Sequence, residues 1–520
     1  MEERLTRALQ VVAERTLEKY GAVIALRLFV ALLVMAALAC SGDGTGPNLV
    51  QNGLHLVAGA SGTDTIDAAP VQALVVDVGD AIGRARPNVV VRFSSLLVRN
   101  PSGYSVPGAY VGRVDGQGAG TLVIDTTDVY GRASALVRLG TVASPVAIEV
   151  SAPELGVADT ARYNVLAGAV DSIALSPSDS ALYLTTQYTI TARILDRYGN
   201  SRTDAVQFSS TSPAVAVSGA TVTAQAYGRA TIVATSGGIS DTAWTSVIPT
   251  GVLAVTASGP SGPIVGTVNL DGSGFQQIQV PHSYAGAGLA WAPDGSYLVG
   301  AFDSPIALYR FDLAGGSKLL TSAFYVGQIT AADVSHDGQL VYLSAGNCNY
   351  NEIVYKVLAT GSGPTRVSTA TADDCFDLVH ADISLAPDGQ RAAVDHYATA
   401  YNTPDVQILD LSTGVATPLN LIGTRPKWSP LGNRIAYVAN NRVWVVSPNG
   451  SGATAVSPVN ALFQPGLAWS PDGAWLLVLH QPVSWSGATR MALLSLATGE
   501  LIPLPPGFAR FANPAWRPVP

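Results

Sequence analysis

The chain has 520 residues, of which 48% are hydrophobic, 13% are charged and 52 are glycine, and it carries a formal net charge of −8. An acidic chain with so few lysines lacks the basic footprint that nucleic-acid binding needs, so that class of partner is excluded. Low charge and abundant glycine suit a turn-rich β protein, and no segment carries a convincing helical period beyond the N-terminal region.

The first element is an export signal. Leu28 to Ala39 is an uncharged apolar run preceded by Arg27 and followed by Cys40. A bilayer crossing needs about 20 apolar residues, so this run fits the hydrophobic region of a signal segment spanning 1–39. Ala37-Leu-Ala39 also has the form of an ordinary A-x-A cleavage site, which leaves plain secretion open beside anchoring. In residues 1–26 four glutamates nearly cancel four basic residues. That stretch reads either as lying upstream of a start near Val23 or Leu26, or as an amphipathic helix at the cytoplasmic face. Residues 40–51, with the polar run Ser41-Gly-Asp-Gly-Thr-Gly-Pro47, form a flexible tether. Cys40 behind a small residue resembles a bacterial lipoprotein signal, although Ala37 stands where that family usually has Leu. The resemblance implies lipid attachment at Cys40 and a membrane-anchored protein facing the periplasm or the cell surface.

Residues 52–167 and 168–249 contain short alternating runs bounded by turn residues, the pattern of β-sandwiches. In the first, Val75-Val-Asp-Val-Gly79, Val89-Val-Val-Arg-Phe93, Thr127-Asp-Val-Tyr-Gly-Arg-Ala133 and Leu136-Val-Arg-Leu-Gly140 resemble the invasin/intimin-type group 1 Ig-like domain, with an insertion near residues 95–120. In the second, Ala192-Arg-Ile-Leu-Asp-Arg-Tyr-Gly-Asn200, Phe208-Ser-Ser-Thr-Ser-Pro213 and Gly228-Arg-Ala-Thr-Ile-Val-Ala234 resemble the bacterial group 2 Ig-like domain. Asp196 with Gly199-Asn200 is expected to turn the chain between strands, and Gly228 to kink it. Residues 249–251 read as a hinge. Such domains serve as stalks in the families resembled, and in adhesins some bind receptors directly.

Residues 252–520 carry one phrase six times: Trp291-Ala-Pro-Asp-Gly295, Val334-Ser-His-Asp-Gly338, Leu385-Ala-Pro-Asp-Gly389, Trp428-Ser-Pro-Leu-Gly432, Trp469-Ser-Pro-Asp-Gly473 and Trp516-Arg-Pro-Val-Pro520. Steps of 43, 51, 43, 41 and 47 residues separate the fourth positions. A turn signal recurring every 40 to 50 residues marks a β-propeller with one four-stranded blade per repeat. Pro fixes φ, Asp accepts backbone hydrogen bonds and Gly takes positive φ, which together reverse the chain. Apolar strands such as Tyr297-Leu-Val, Leu340-Val-Tyr and Ile435-Ala-Tyr-Val follow at once. The phrases resemble the repeats of TolB-type propellers, relatives of the WD-repeat family. Residues 252–280 look like a blade lacking its first strand and Trp516 begins a blade that is not finished, so the last strand is expected to complete the first blade. The fold class is therefore all-β: two Ig-like β-sandwiches followed by a six-bladed β-propeller.

No G-x-S-x-G elbow, H-E-x-x-H, P-loop or C-x-x-C is present, so no catalytic residue, metal or other cofactor is assigned. With Cys40 assigned, Cys348 and Cys375 remain and are expected to form a disulfide in an exported protein. Asp373, Asp374 and Asp377 could hold Ca²⁺ but read better as a solvated loop. A ligand is expected at the rim of the central channel. His396 and His480 each fall eight residues after the turn position of their blades, and His380, Asp382, Arg425 and Asn513 precede inner strands, so these six form the candidate rim. Metal-dependent propeller lyases use rim histidines, which keeps an enzyme open as the alternative. The expected role is non-catalytic binding of an envelope or extracellular protein, peptide or glycan. The α/β domain that precedes the propeller in TolB is not recognisable, so that protein's role is not transferred.

Overall fold

The computed structural model describes residues 52–518 except 71, 115–118, 260–261, 279–287, 303–306, 314–315, 323–327, 347–351, 362, 370–381, 397–402, 460 and 483–489. It is all-β: among the described residues the only helices are two short 3₁₀ turns, Pro153–Leu155 and Pro506–Arg510. None is long and apolar enough to cross a membrane. Cys40, Cys348, Cys375, His380 and residues 373–377 lie outside the described residues. One expectation is corrected. Among the described residues no cysteine pair lies within disulfide distance, so the expected Cys348–Cys375 disulfide is withdrawn. It was inferred by counting, and counting says nothing of Cα separation, which must fall within about 7 Å.

The chain divides into two compact units, Met1–Gly168 and Ala169–Pro520. In the first, Gly53–Ala58, Leu74–Gly79, Arg132–Leu139 and Ala109–Gly112 make one sheet. Ser61–Thr65, Val157–Leu166, Pro145–Ala152, Val90–Ser95 and Leu122–Thr126 make another. Burial alternates along Arg132–Leu139 and Pro145–Ala152, as a half-buried strand requires. Leu74, Val76 and Val78 of one sheet share a core with Val91, Phe93, Ile148 and Val150 of the other. The expected insertion supplies a small ribbon, Leu97–Arg99 with Ser105–Pro107, and then the edge strand Ala109–Gly112.

The second unit begins with three small sheets, the largest pairing Asp179–Tyr183, Ile239–Ile248, Gly228–Ser236 and Gln207–Ser210. The Asp196 turn forms: its carboxylate accepts the N–H groups of Tyr198 and Asn200 at 2.9 and 3.0 Å and the Asn200 amide at 2.8 Å. Residues 249–251 do not behave as a free hinge. Glu500 Oε1 accepts the Arg229 N–H, the Ser246 hydroxyl donates to Pro503 O, and the Tyr183 hydroxyl accepts the Asp271 N–H. Tyr227 meets the Trp475 ring edge-on at 5.3 Å. A Cβ on Gly251 would come within 2.6 Å of the Trp516 indole nitrogen, so the link is packed down where only glycine fits.

Six four-stranded antiparallel sheets follow. Their inner strands are Phe511–Trp516 in the first sheet, then Ala290–Trp291, Gln328–Val334, Ile383–Leu385, Thr424–Trp428 and Ala461–Trp469 in the second to sixth. The first sheet is thus completed by the last strand, with Leu253 opposite Trp516 and Ala254 opposite Ala515. Each inner strand lies against that of the next sheet, and the sixth lies against the first. The turn after each inner strand is built as its residues dictate. Asp294, Asp337, Asp388 and Asp472 each accept the N–H two residues on, at 2.8 to 3.0 Å. The glycines after these aspartates take φ from 65° to 69°, and Gly432 takes 74°. Where the phrase has Leu431 instead of Asp, the Ser429 hydroxyl accepts the Leu431 N–H at 3.3 Å.

Trp516 is buried with Leu253, Leu270 and Trp475, so it anchors the completing strand. Trp516→Ala is expected to cost about 3–5 kcal/mol, against about 0.5 or less for the exposed Val459→Ala. Urea titration of the two variants checks this, and equal midpoints would show that the last strand does not hold the first sheet.

Candidate functional site

The six inner strands surround one cavity of about 720 Å³. Aligned on their turns, they show why it is chemically lopsided. The third residue of each phrase lines it: Pro293, His336, Pro387, Pro430, Pro471 and Pro518. Three residues earlier on the strands come Ala290, Asp333, Ser384, Lys427, Ala468 and Ala515, and two earlier still come Gly288, Ala331, Asp382, Arg425 and Gly466. The period of two in a strand puts these last two sets on one face. Among the described residues every charged side chain on that face belongs to the third, fourth or fifth sheet, and the other three sheets line it with glycine and alanine.

The polar wall is a network rather than a scatter of charges. Asp382, 4% exposed, accepts from Lys427 Nζ at 3.0 Å and lies 3.7 Å from Arg425 Nη1. Behind it the wholly buried Asp395 accepts the Asp382 N–H at 2.7 Å and the Arg425 N–H at 3.0 Å. Asp333 accepts the N–H groups of Val334 and Leu385, both at 2.8 Å, and the Ser384 hydroxyl accepts that of Trp428 at 2.9 Å. Asp333, Ser384 and Asp395 thereby tie neighbouring inner strands together. Arg425 sits at φ +55°, a left-handed conformation that costs a non-glycine residue of order 1–2 kcal/mol. The Asp395 hydrogen bond and the register shift between Thr424 and Lys427 hold it there. Burial, reinforced by the Asp382 charge, pushes the Asp395 carboxyl above the ordinary range, and burial does the same to Asp333.

The structure brings together Asp382 and Arg425 of the six expected rim residues and adds Lys427, Asp333, Ser384 and Asp395, which the motif reading missed. Aligning the repeats would have exposed Lys427 and Asp333, because they interrupt a column otherwise filled by Ala and Ser. His396 does not line the cavity; its Nδ1 lies 3.0 Å from Asp405 Oδ1. His480 is buried in the sixth sheet opposite Phe463, with no hydrogen-bond partner for either ring nitrogen among the described residues. Burial, and then the Arg490 charge, hold its pKa below the usual histidine value. The two histidines stand on the fourth and sixth sheets and form no pair. Asn513 belongs to the completing strand Phe511–Trp516. Among the described residues no group of three or more His, Cys, Asp or Glu side chains is placed to hold a metal ion. The wall is suited to electrostatic recognition by two cations steadied on one carboxylate.

The raised Asp395 carboxyl has a signed consequence. It lends stability that is complete below its unfolded value of 3.8 and is lost as pH rises through the folded value. Asp395→Asn removes that contribution, so the melting temperature should differ more from wild type at about pH 4 than at about pH 7.5. A difference that does not change with pH would contradict the upward shift.

No protein-family model matches this chain, and no curated protein matches it. Among solved structures, it is similar to TolB from Acinetobacter baumannii, at 17% identity and a TM-score of 0.43, over 56% of this chain and 79% of that one. It is similar to a putative TolB from Agrobacterium tumefaciens at 18% identity and a TM-score of 0.38, over 49% and 89%. An oligogalacturonate lyase from Vibrio parahaemolyticus is similar at 13% identity and a TM-score of 0.35, over 50% and 74%. These likenesses are distant and concern the fold: an all-β, multi-sheet protein with remote similarity to TolB-like β-propeller proteins.

Proposed function

We propose that residues 252–520 form a closed six-bladed β-propeller, carried on two Ig-like domains, that acts as a non-catalytic binding head of an exported envelope protein. Cys40 would carry the lipid that holds the protein to its membrane. The partner is an envelope or extracellular protein or peptide. The observation that supports this reading is the cavity: all six inner strands line it, and its charged groups are held by backbone hydrogen bonds and ion pairs. Fixed charges of this kind give a ligand orientation and specificity without performing a reaction. Asp382, the one carboxylate facing both cations, is held by Lys427 and by the Ile383 N–H.

Two experiments test the reading. Cys40→Ser should release the protein from the membrane fraction, and its retention there would remove the lipid anchor. Affinity capture from envelope extract should recover a saturable partner on the wild-type chain and lose it on Arg425→Asn. Asparagine is chosen because it tolerates the left-handed backbone at that position. Recovery of the same partner by the variant would move binding away from the cavity.

A further inference from the structure

Three features narrow what the cavity can hold. The first is a cation with capacity to spare. Lys427 Nζ is engaged by Asp382 at 3.0 Å, whereas Arg425 touches Asp382 through one nitrogen at 3.7 Å, and its side chain is 47% exposed. A guanidinium has five N–H donors in a planar fork that matches a carboxylate, so most of that fork points at the cavity's solvent. The neighbouring acids do not cancel it. Asp395 is sealed in the wall, and both oxygens of Asp333 are taken by backbone N–H groups. Burial also pushes both of these carboxyls toward their neutral forms.

The second feature weighs against a sugar. Carbohydrate sites offer an open aromatic face, and here the four indoles beside the cavity, Trp291, Trp428, Trp469 and Trp516, are all buried, and arginines lie near three of them. Arg517 lies 5.2 Å from the Trp291 ring centre, Arg391 5.2 Å from that of Trp428 and Arg434 5.5 Å from that of Trp469. The third is shape and lining. A volume of about 720 Å³ suits a ligand of a few residues rather than a folded domain. Among the described residues the surface opposite the charged wall is Gly288, Ala290, Gly466, Ala468 and Ala515, small and apolar. Arg425 is set six positions before its turn, toward the start of the inner strand, and the proline ring lies at the other end.

Taking the binding-head reading as its basis, we infer that the cavity recognises the free C-terminal carboxylate of a peptide ending in small apolar residues. The carboxylate sits on the Arg425 fork, and the last side chains lie along the alanine and glycine wall toward the prolines. A chain end satisfies this arrangement because the charge is required at one end of the cavity alone.

The test is titration calorimetry of the purified full chain with N-acetyl-trialanine as the free acid and as its C-terminal amide. The acid should bind at least tenfold more tightly, and Arg425→Asn should erase that preference while the melting temperature holds. Asp382→Asn, which removes the competing carboxylate from both cations, should strengthen acid binding. Equal affinity for acid and amide overturns the carboxylate assignment, as does an acid preference that survives in Arg425→Asn. Failure of both peptides while envelope capture still depends on Arg425 also overturns it and leaves the binding head standing. Acid-selective binding with no envelope partner captured would sustain the carboxylate site and remove the partner reading.

Discussion

Among the described residues neighbouring sheets in 252–520 share no backbone ladder; they are joined by isolated backbone bonds, such as Phe463 N–H to Asn441 O, and by side chains bonded to the backbone of the adjoining sheet. The Trp291 indole donates to Ala515 O, the Tyr297 hydroxyl to Gly338 O and the Trp469 indole to Lys427 O. Arg434 donates to Gly473 O and Arg517 to Gly295 O. In the third and fourth sheets the direction reverses, and Asp333, Ser384 and Asp395 accept backbone N–H groups from the sheet that follows. Each bond contributes a modest net amount, about 0.5–1.5 kcal/mol, but an unmet buried donor would cost about 1–3 kcal/mol. The groups that assemble the sheets are therefore, in part, the groups that shape the cavity. Its charge pattern is not an addition to the fold.

How much of this was legible in the chain follows from the range of each interaction. The turns were readable because Asp294, Asp337, Asp388 and Asp472 act on N–H groups two residues away. The order of the sheets and the return of the last strand to the first followed from the phase of the repeat. The cavity was half legible. Position before an inner strand pointed to Asp382 and Arg425, but their partner Lys427 lies 45 residues from Asp382 in the chain. Equal phase also misled for the histidines. His396 and His480 both sit on second strands, yet one meets Asp405 and the other is covered opposite Phe463. Phase sets a register and not a neighbourhood.

The link at residues 249–251 shows the same limit. Its composition is that of a loop, and nothing local announces that it is packed. The groups that restrain it, Glu500, Pro503 and Trp475, come from the sixth sheet, with Glu500 lying 271 residues from Arg229. Gly251 is the one local sign, and its meaning depends on Trp516. In physical terms the small sheets of residues 169–248 and the sheets beyond them belong to one compact unit. A force applied to one is carried into the other through buried contacts instead of being absorbed by a loose connector.

The pairing of Phe511–Trp516 with Val252–Gly259 bears on how the molecule is made. Val252–Gly259 is formed early in synthesis, yet its partner emerges only after all five other sheets have been translated. Until then it presents an unpaired apolar edge, the kind of surface that recruits other chains. Joining segments so far apart in sequence is slow, because the loop must close before its contacts can stabilise it. The completed first sheet is thus a late product of folding, and any pause or cleavage before residue 511 leaves a chain with five complete sheets and one adhesive edge.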